Sequence, residues 1–163
     1  MADTAKATIG VFALVFNRDY SKVLLVRRNY EKKSYKGKEW GNVGGRIDAG
    51  ETSIEACIRE AREETGLKLR PSDLRLLCII EHPNTGMGML HFVYATAIDE
   101  RVRITLNEES YEYRWFAMGN LPESTLDSRK DIRAWRDMAN AGAGIQGPIA
   151  SVRRLSRQAR KRR

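Results

Sequence analysis

Two cysteines, two histidines and four prolines are all that 163 residues supply of these types, so a disulfide scaffold or a histidine-rich metal centre has little to build on. Cys57 and Cys78 are widely separated and each lies in an apolar segment, which reads as buried free thiols in a reducing, cytoplasmic setting rather than as a disulfide or a metal pair. No apolar run is long enough for a bilayer. The longest, Ile9 to Phe16, falls far short of the roughly 20 residues a spanning helix needs. It also makes a poor leader core: no small-residue cleavage site follows and a strand-like pattern continues past it, so it reads as a strand. No internal repeat is visible. Apolar and charged contents of 42% and 31% exclude wholesale disorder, and the length suits one domain with a proper core.

Acidic residues are missing from one place in particular. The segment from Ser151 to Arg163, "SVRRLSRQARKRR", holds seven Lys or Arg and no acid. Without it, 22 basic residues face 21 acidic ones, so the net charge of +8 belongs to the tail and not to a basic groove across the body. We therefore divide the chain into a domain over 1–148 and a basic, flexible tail over 149–163. A soluble basic end and an attachment point for RNA phosphates both suit such a tail.

The remaining chain alternates strand and helix signals. Thr8 to Phe16 and Lys22 to Arg27 read as strands around a hairpin connection, Asn17 to Tyr20. A lysine-rich loop, Arg28 to Trp40, leads into a glycine-rich turn, Gly41 to Gly45. Thr52 and Glu55 have capping-box spacing for a helix that Gly66 would stop. Leu74 to Ile80, Met89 to Ile98, Arg101 to Thr105 and Tyr111 to Phe116 read as further strands. Asp127 to Ala139 reads as a second helix, with Asp127 or Ser128 as its cap. Strands on both sides of the first helix predict an α/β protein, an α/β/α sandwich around a mixed sheet.

That first helix is unusual for its carboxylates. With about 100° per residue and Glu60 set at zero, Glu63 falls near 300° and Glu64 near 40°, an arc of roughly 100°. Ile54, Cys57, Ile58 and Ala61 form an adjacent apolar stripe, so the helix can bury that stripe and aim its carboxylates sideways into a cleft. Arg59 and Arg62 fall off the acidic arc on the same wheel. Like charges at this spacing repel. A solvated face would tolerate them, but clustered oxygen donors suit a hard cation such as Mg²⁺ or Mn²⁺.

Gly45, Glu51 and "REAREETGL" (Arg59 to Leu67) together match G-x5-E-x7-R-E-U-x-E-E-x-G-U, where U is apolar. This is the Nudix box, and the chain resembles the Nudix (MutT-like) hydrolases. A chance match is of the order of one in ten million from ordinary residue usage. The resemblance reaches weakly to about Ala139 and leaves the tail out. Val43 stands where the family often has Pro, and Asp48 where a longer Glu is common.

The resemblance implies a Nudix fold and a divalent-metal-dependent hydrolase that splits the pyrophosphate bond of a nucleoside diphosphate linked to X. By it, Glu60, Glu63, Glu64 and the Gly44 carbonyl hold Mg²⁺ or Mn²⁺, while Glu51 and Arg59 brace the loop and helix through an ion pair. The general base is expected at Glu109, with Glu112 second and Glu63 or Glu60 otherwise. Arg28 and Gly45 are expected beside the substrate. Lys32, Lys33, Lys36 and Lys38 could draw phosphates, and Tyr30, Tyr35 or Trp40 could stack on a base or, for Trp40, pack on the sheet. A proline at Pro83, in the loop after His82, resembles a pattern among ADP-ribose-cleaving relatives, although a turn residue explains it as well. The expected substrate is a small nucleotide, a (d)NTP or a modified nucleotide. ADP-ribose and a 5′-triphosphorylated RNA end bound through the tail are alternatives, and a non-catalytic nucleotide-binding module is the alternative from another class. No membrane partner is expected, and a homodimer is a family analogy.

Overall fold

The computed structural model describes residues 7–29, 39–82 and 88–144. Residues 30–38 of the lysine-rich loop, Pro83, the tail and their expected roles lie outside the described residues, as does the side chain of His82.

Seven strands, β1 (Ala7–Asn17), β2 (Lys22–Arg28), β3 (Trp40–Gly41), β4 (Val43–Arg46), β5 (Arg75–His82), β6 (Gly88–Ile98) and β7 (Ser110–Ala117), form one mixed sheet. β1 runs parallel to β6 along its whole length, with Val11 opposite Phe92 and Val15 opposite Thr96. The other pairings are antiparallel: β1 with β2 and β4, β2 with β3 and β7, and β5 with β6. β1 is buried almost throughout, which is why it reads as a continuous apolar run rather than an alternating one.

Helix α1 (Ser53–Thr65) covers one face and α2 (Arg129–Asn140) the other. Alternation along the strands sorts the core into two layers. Val11, Ala13, Val15, Leu24 and Val26 pack against Ala56, Cys57 and Ala61 of α1. Leu14, Phe16, Val23 and Leu25 pack against Ile132, Trp135 and Ala139 of α2. This is the expected sandwich. Cys57 is buried and Cys78 half-buried, both as free thiols.

Two expectations fail. The Gly41–Gly45 segment is not simply a turn: Val43–Arg46 pairs with Gly10–Ala13 of β1 as strand β4. Arg101 to Thr105 is not a strand. Ile104 drops into the α1-side core while the Thr105 amide bonds to the Thr65 carbonyl at 2.9 Å, so this segment laces the end of α1 and joins no ladder.

Candidate active site

Local chemistry starts and stops α1 where the sequence predicts. Thr52 and Glu55 form a complete capping box, the Glu55 carboxylate accepting the Thr52 amide at 2.9 Å. Gly66 ends the helix at φ 71°, a left-handed conformation that glycine adopts at no steric cost.

β4 then brings glycine backbone against the helix. Gly44 has φ +154°, and a Cβ there would fall on the Val11 carbonyl and the Phe12 backbone, so no other residue fits. At Gly45 a Cβ would meet the end of the Glu60 side chain, which lies across the strand. Both box glycines therefore serve close approach.

The three carboxylates occupy different surroundings. Glu64 does not point sideways into a cleft: its side chain is 2% exposed, and it accepts the Gly44 N–H at 2.8 Å. Its place on the wheel beside the apolar stripe carries it into the core. Burial pushes its pKa up to about 7, against the pull of Arg28 and the Gly44 amide and with help from the charges of Glu60 and Glu109. Glu60 is part-buried, and desolvation raises its pKa as well; Arg59 opposes this, and Glu63 and Glu109 add to it. Glu63 is the open one, 55% exposed. Ile58 of the expected apolar stripe is only half-buried.

Two arginines supply the nearby positive charge. Arg59 grips both oxygens of Glu51 at 2.9 Å, the predicted brace, and donates to the Arg46 carbonyl at 3.0 Å. It does not stay off the acidic arc. Its guanidinium is long enough to donate to Glu60 at 2.8 Å and Glu63 at 3.2 Å as well. Arg28, from the end of β2, lies 3.7 Å from Glu64 and donates to the carbonyls of Asn42 and Gly44 at 3.4 Å.

Glu109 and Glu112 separate clearly. The Glu109 carbonyl accepts the Asn29 amide at 2.9 Å, which ties its loop to the end of β2 beside Arg28, and its charge is felt by both Glu60 and Glu64. Glu112 is engaged elsewhere, by Arg27 at 3.1 Å and by Arg114. Trp40 packs on the sheet, 7% exposed, edge-on to Phe116. Asn42, 4% exposed, donates to Asp127 at 2.8 Å, and its own Oδ1 has no partner among the described residues.

Among the described residues, no three carboxylate, imidazole or thiol groups close around a common point. The arginines draw the carboxylates apart: Glu60 and Glu63 to Arg59, and Glu64 inward to Gly44 and Arg28. The donor set itself is all oxygen, with one carboxylate buried and another half-desolvated beside like charges. That surplus negative charge fits a hard divalent cation.

A family model described as the NUDIX domain matches residues 6–136. The chain belongs to the Nudix family. Among curated Nudix-related proteins, a Mycobacterium tuberculosis protein named "Putative 8-oxo-dGTP diphosphatase 3" is 30% identical over 72% of this chain and 54% of its own length. A Methanocaldococcus jannaschii protein named ADP-ribose pyrophosphatase is 29% identical, over 74% of this chain and 69% of its own length. The chain thus spans about half the length of the mycobacterial relative. Among solved structures, a MutT Nudix hydrolase from Burkholderia pseudomallei superposes with a TM-score of 0.63 at 23% identity, covering 81% of this chain and 97% of that one. This likeness shows that the fold is shared. Among the described residues, no helix is long and apolar enough to cross a membrane.

Proposed function

We propose that this Nudix protein is a divalent-metal-dependent pyrophosphohydrolase acting on a small nucleotide, a (d)NTP or a modified nucleotide. The observation that carries the reading is Glu64: a carboxylate buried on the Gly44 amide, with Glu60 and Glu63 on the same helix and the charge of Glu109 reaching the same spot. A chain gains nothing in stability from burying a carboxylate among like charges, so a cationic ligand is the natural account. The substrate class draws support from the relatives, of which one is named for 8-oxo-dGTP and another for ADP-ribose.

Pyrophosphate hydrolysis needs charge neutralised on two phosphoryl groups and a water aimed in line at one phosphorus. Glu60, Glu63, Glu64 and the Gly44 carbonyl would hold Mg²⁺ or Mn²⁺, which when bound supplies the charge neutralisation. Glu109 stands as the proton acceptor for the attacking water, since its carboxylate carries no ion pair to any described residue while Glu112 is committed to Arg27 and Arg114. Arg28, held beside the Gly44 carbonyl, and the Gly45 backbone would meet the phosphate oxygens, and Glu51 holds Arg59, which donates to Glu60 and Glu63.

The test is product analysis with Mg²⁺ and a panel of (d)NTPs, ADP-ribose, dinucleoside polyphosphates and triphosphorylated RNA, with Glu63→Gln alongside. Metal-dependent cleavage lost in the variant is the expected result and names X. Silence across the panel from a folded protein, with nucleotide binding retained, would favour a non-catalytic module.

A further inference from the structure

The outer part of one sheet face has no helix over it among the described residues. Helix α1 packs on β1 and β4, and α2 lies on the opposite face. Pairing puts Ile79 of β5 beside Phe92 of β6, and Leu90 of β6 between Glu81 and Ile9. Val11 and Phe92 belong to the α1 layer, so alternation turns Ile9 and Leu90 to that side as well. Ile9 is 43% exposed, while Ile79, Leu90 and Phe92 are half-buried. Ile47, whose amide donates to the Ile9 carbonyl at 3.1 Å, continues the surface. Contiguous exposed apolar surface marks an interaction site.

Two observations say what covers it. The first is where the described chain ends. Gly144 lies against β5, where a Cβ on it would be 2.8 Å from the Leu76 carbonyl and 2.9 Å from Arg75 Cγ. Ile79 is about 10 Å further along that strand, and the chain from Gly144 to Ile149 can span up to about 17 Å. The second is complementarity. Ile149, Val152, Leu155 and Ala159 recur at helical spacing and fall within an arc of roughly 120°, with Arg153, Arg154, Arg157 and Lys161 on the opposite side. Acids stand at the border of the apolar surface: Glu81 is exposed beside Leu90, and Asp48, 76% exposed, follows Ile47. Long basic side chains can lie along such a surface and reach acids at its rim.

We propose that this face is the docking site of the chain's own basic tail: residues 149–159 fold on it as an amphipathic helix, with Ile149, Val152 and Leu155 against Ile9, Ile79 and Leu90 and the basic residues toward Glu81 and Asp48. A helix this short is marginal alone in water, so its stability would come from the face it packs on. The short connection from Gly144 keeps the tail at a high effective concentration there. The proposal does not depend on the hydrolytic reading.

The experiment attaches a nitroxide to Gln158→Cys in the full, isotope-labelled chain and follows the backbone amide NMR signals; Cys57 and Cys78 are shielded by burial. The label is expected to broaden the amides of Ile9, Ile79, Glu81 and Leu90 selectively and to spare Arg129–Asn140 on the other face. The double variant Val152→Asp/Leu155→Asp should restore those signals. Ile9→Asp, a change at an exposed position, should restore them from the other side with the rest of the spectrum unchanged. Salt that shortens the Debye length to about 3 Å should weaken the broadening without abolishing it, because apolar contact carries part of the docking. Broadening confined to α2, spread evenly over the surface, or unchanged in both variants would overturn the proposal. So would equal broadening between separately isotope-labelled and spin-labelled molecules, which would make the occupant a second copy's tail.

Discussion

The carboxylate of Glu64 accepts the backbone N–H of Gly44 at 2.8 Å, joining the middle of the sheet to the last turn of α1 through a side chain that is 2% exposed. Glu64→Gln keeps an oxygen for that amide and removes the charge. In EDTA the variant should melt at or above the parent, because a buried amide costs less than a buried carboxylate. Hydrolysis should fall by roughly a hundredfold or more, the scale of losing one preorganised electrostatic group. A lower melting temperature with full activity would contradict this assignment.

Gly44 and Gly45 should fail differently when replaced by alanine. Gly44→Ala puts a Cβ onto the Val11 backbone at a φ of +154°, which costs about 1–3 kcal/mol or more in denaturant unfolding. Gly45→Ala meets only the movable end of Glu60, so the fold should hold while activity drops.

Glu109→Gln should lower kcat with the fold intact. Glu112→Gln should leave kcat near the parent, because Glu112 is spent on Arg27 and Arg114. Equal losses from both, or a loss from Glu112 alone, would move the base away from Glu109.

The capping box predicts a pH-dependent stability. Hydrogen bonds from Thr52 hold the Glu55 carboxyl below its ordinary value of 4.5, so its contribution is present above 4.5 and is lost as pH falls through the lower folded value. Thr52→Ala should therefore destabilise the protein at neutral pH, and the gap to the parent should narrow below 4.5, as read by urea unfolding.

Burial pushes the thiols of Cys57 up to about 12 and Cys78 up to about 11. A thiol reagent at mildly alkaline pH should label neither quickly until the protein is unfolded, because the reactive thiolate is scarce.

The residues differ in how far their places could be read in advance. Thr52, Glu55 and Gly66 act on atoms within four positions of themselves, so the ends of α1 were legible from spacing alone. The ion pair of Glu51 with Arg59 followed from the family resemblance and is present in both its bonds. Strand β4 was not legible. Three glycines in "GNVGG" carry no strand propensity, and the segment is a strand because β1 offers it a partner at Gly10–Ala13. Arg101 to Thr105 shows the reverse, an alternating pattern without a ladder to join. The bond between Asn42 and Asp127 links segments far apart in the chain and left no local signal.

By itself, then, the sequence determined that Glu60, Glu63 and Glu64 share one helix face behind a glycine pair, because a 3.6-residue period and a capping box act over a few residues. Only the tertiary structure decided that Glu64 is the buried carboxylate and Glu63 the open one, and that Arg28 and Arg59 stand as their counter-charges. Burial and long-range pairing are properties of what the sheet packs against the helix, and a linear period carries no record of which neighbour arrives there.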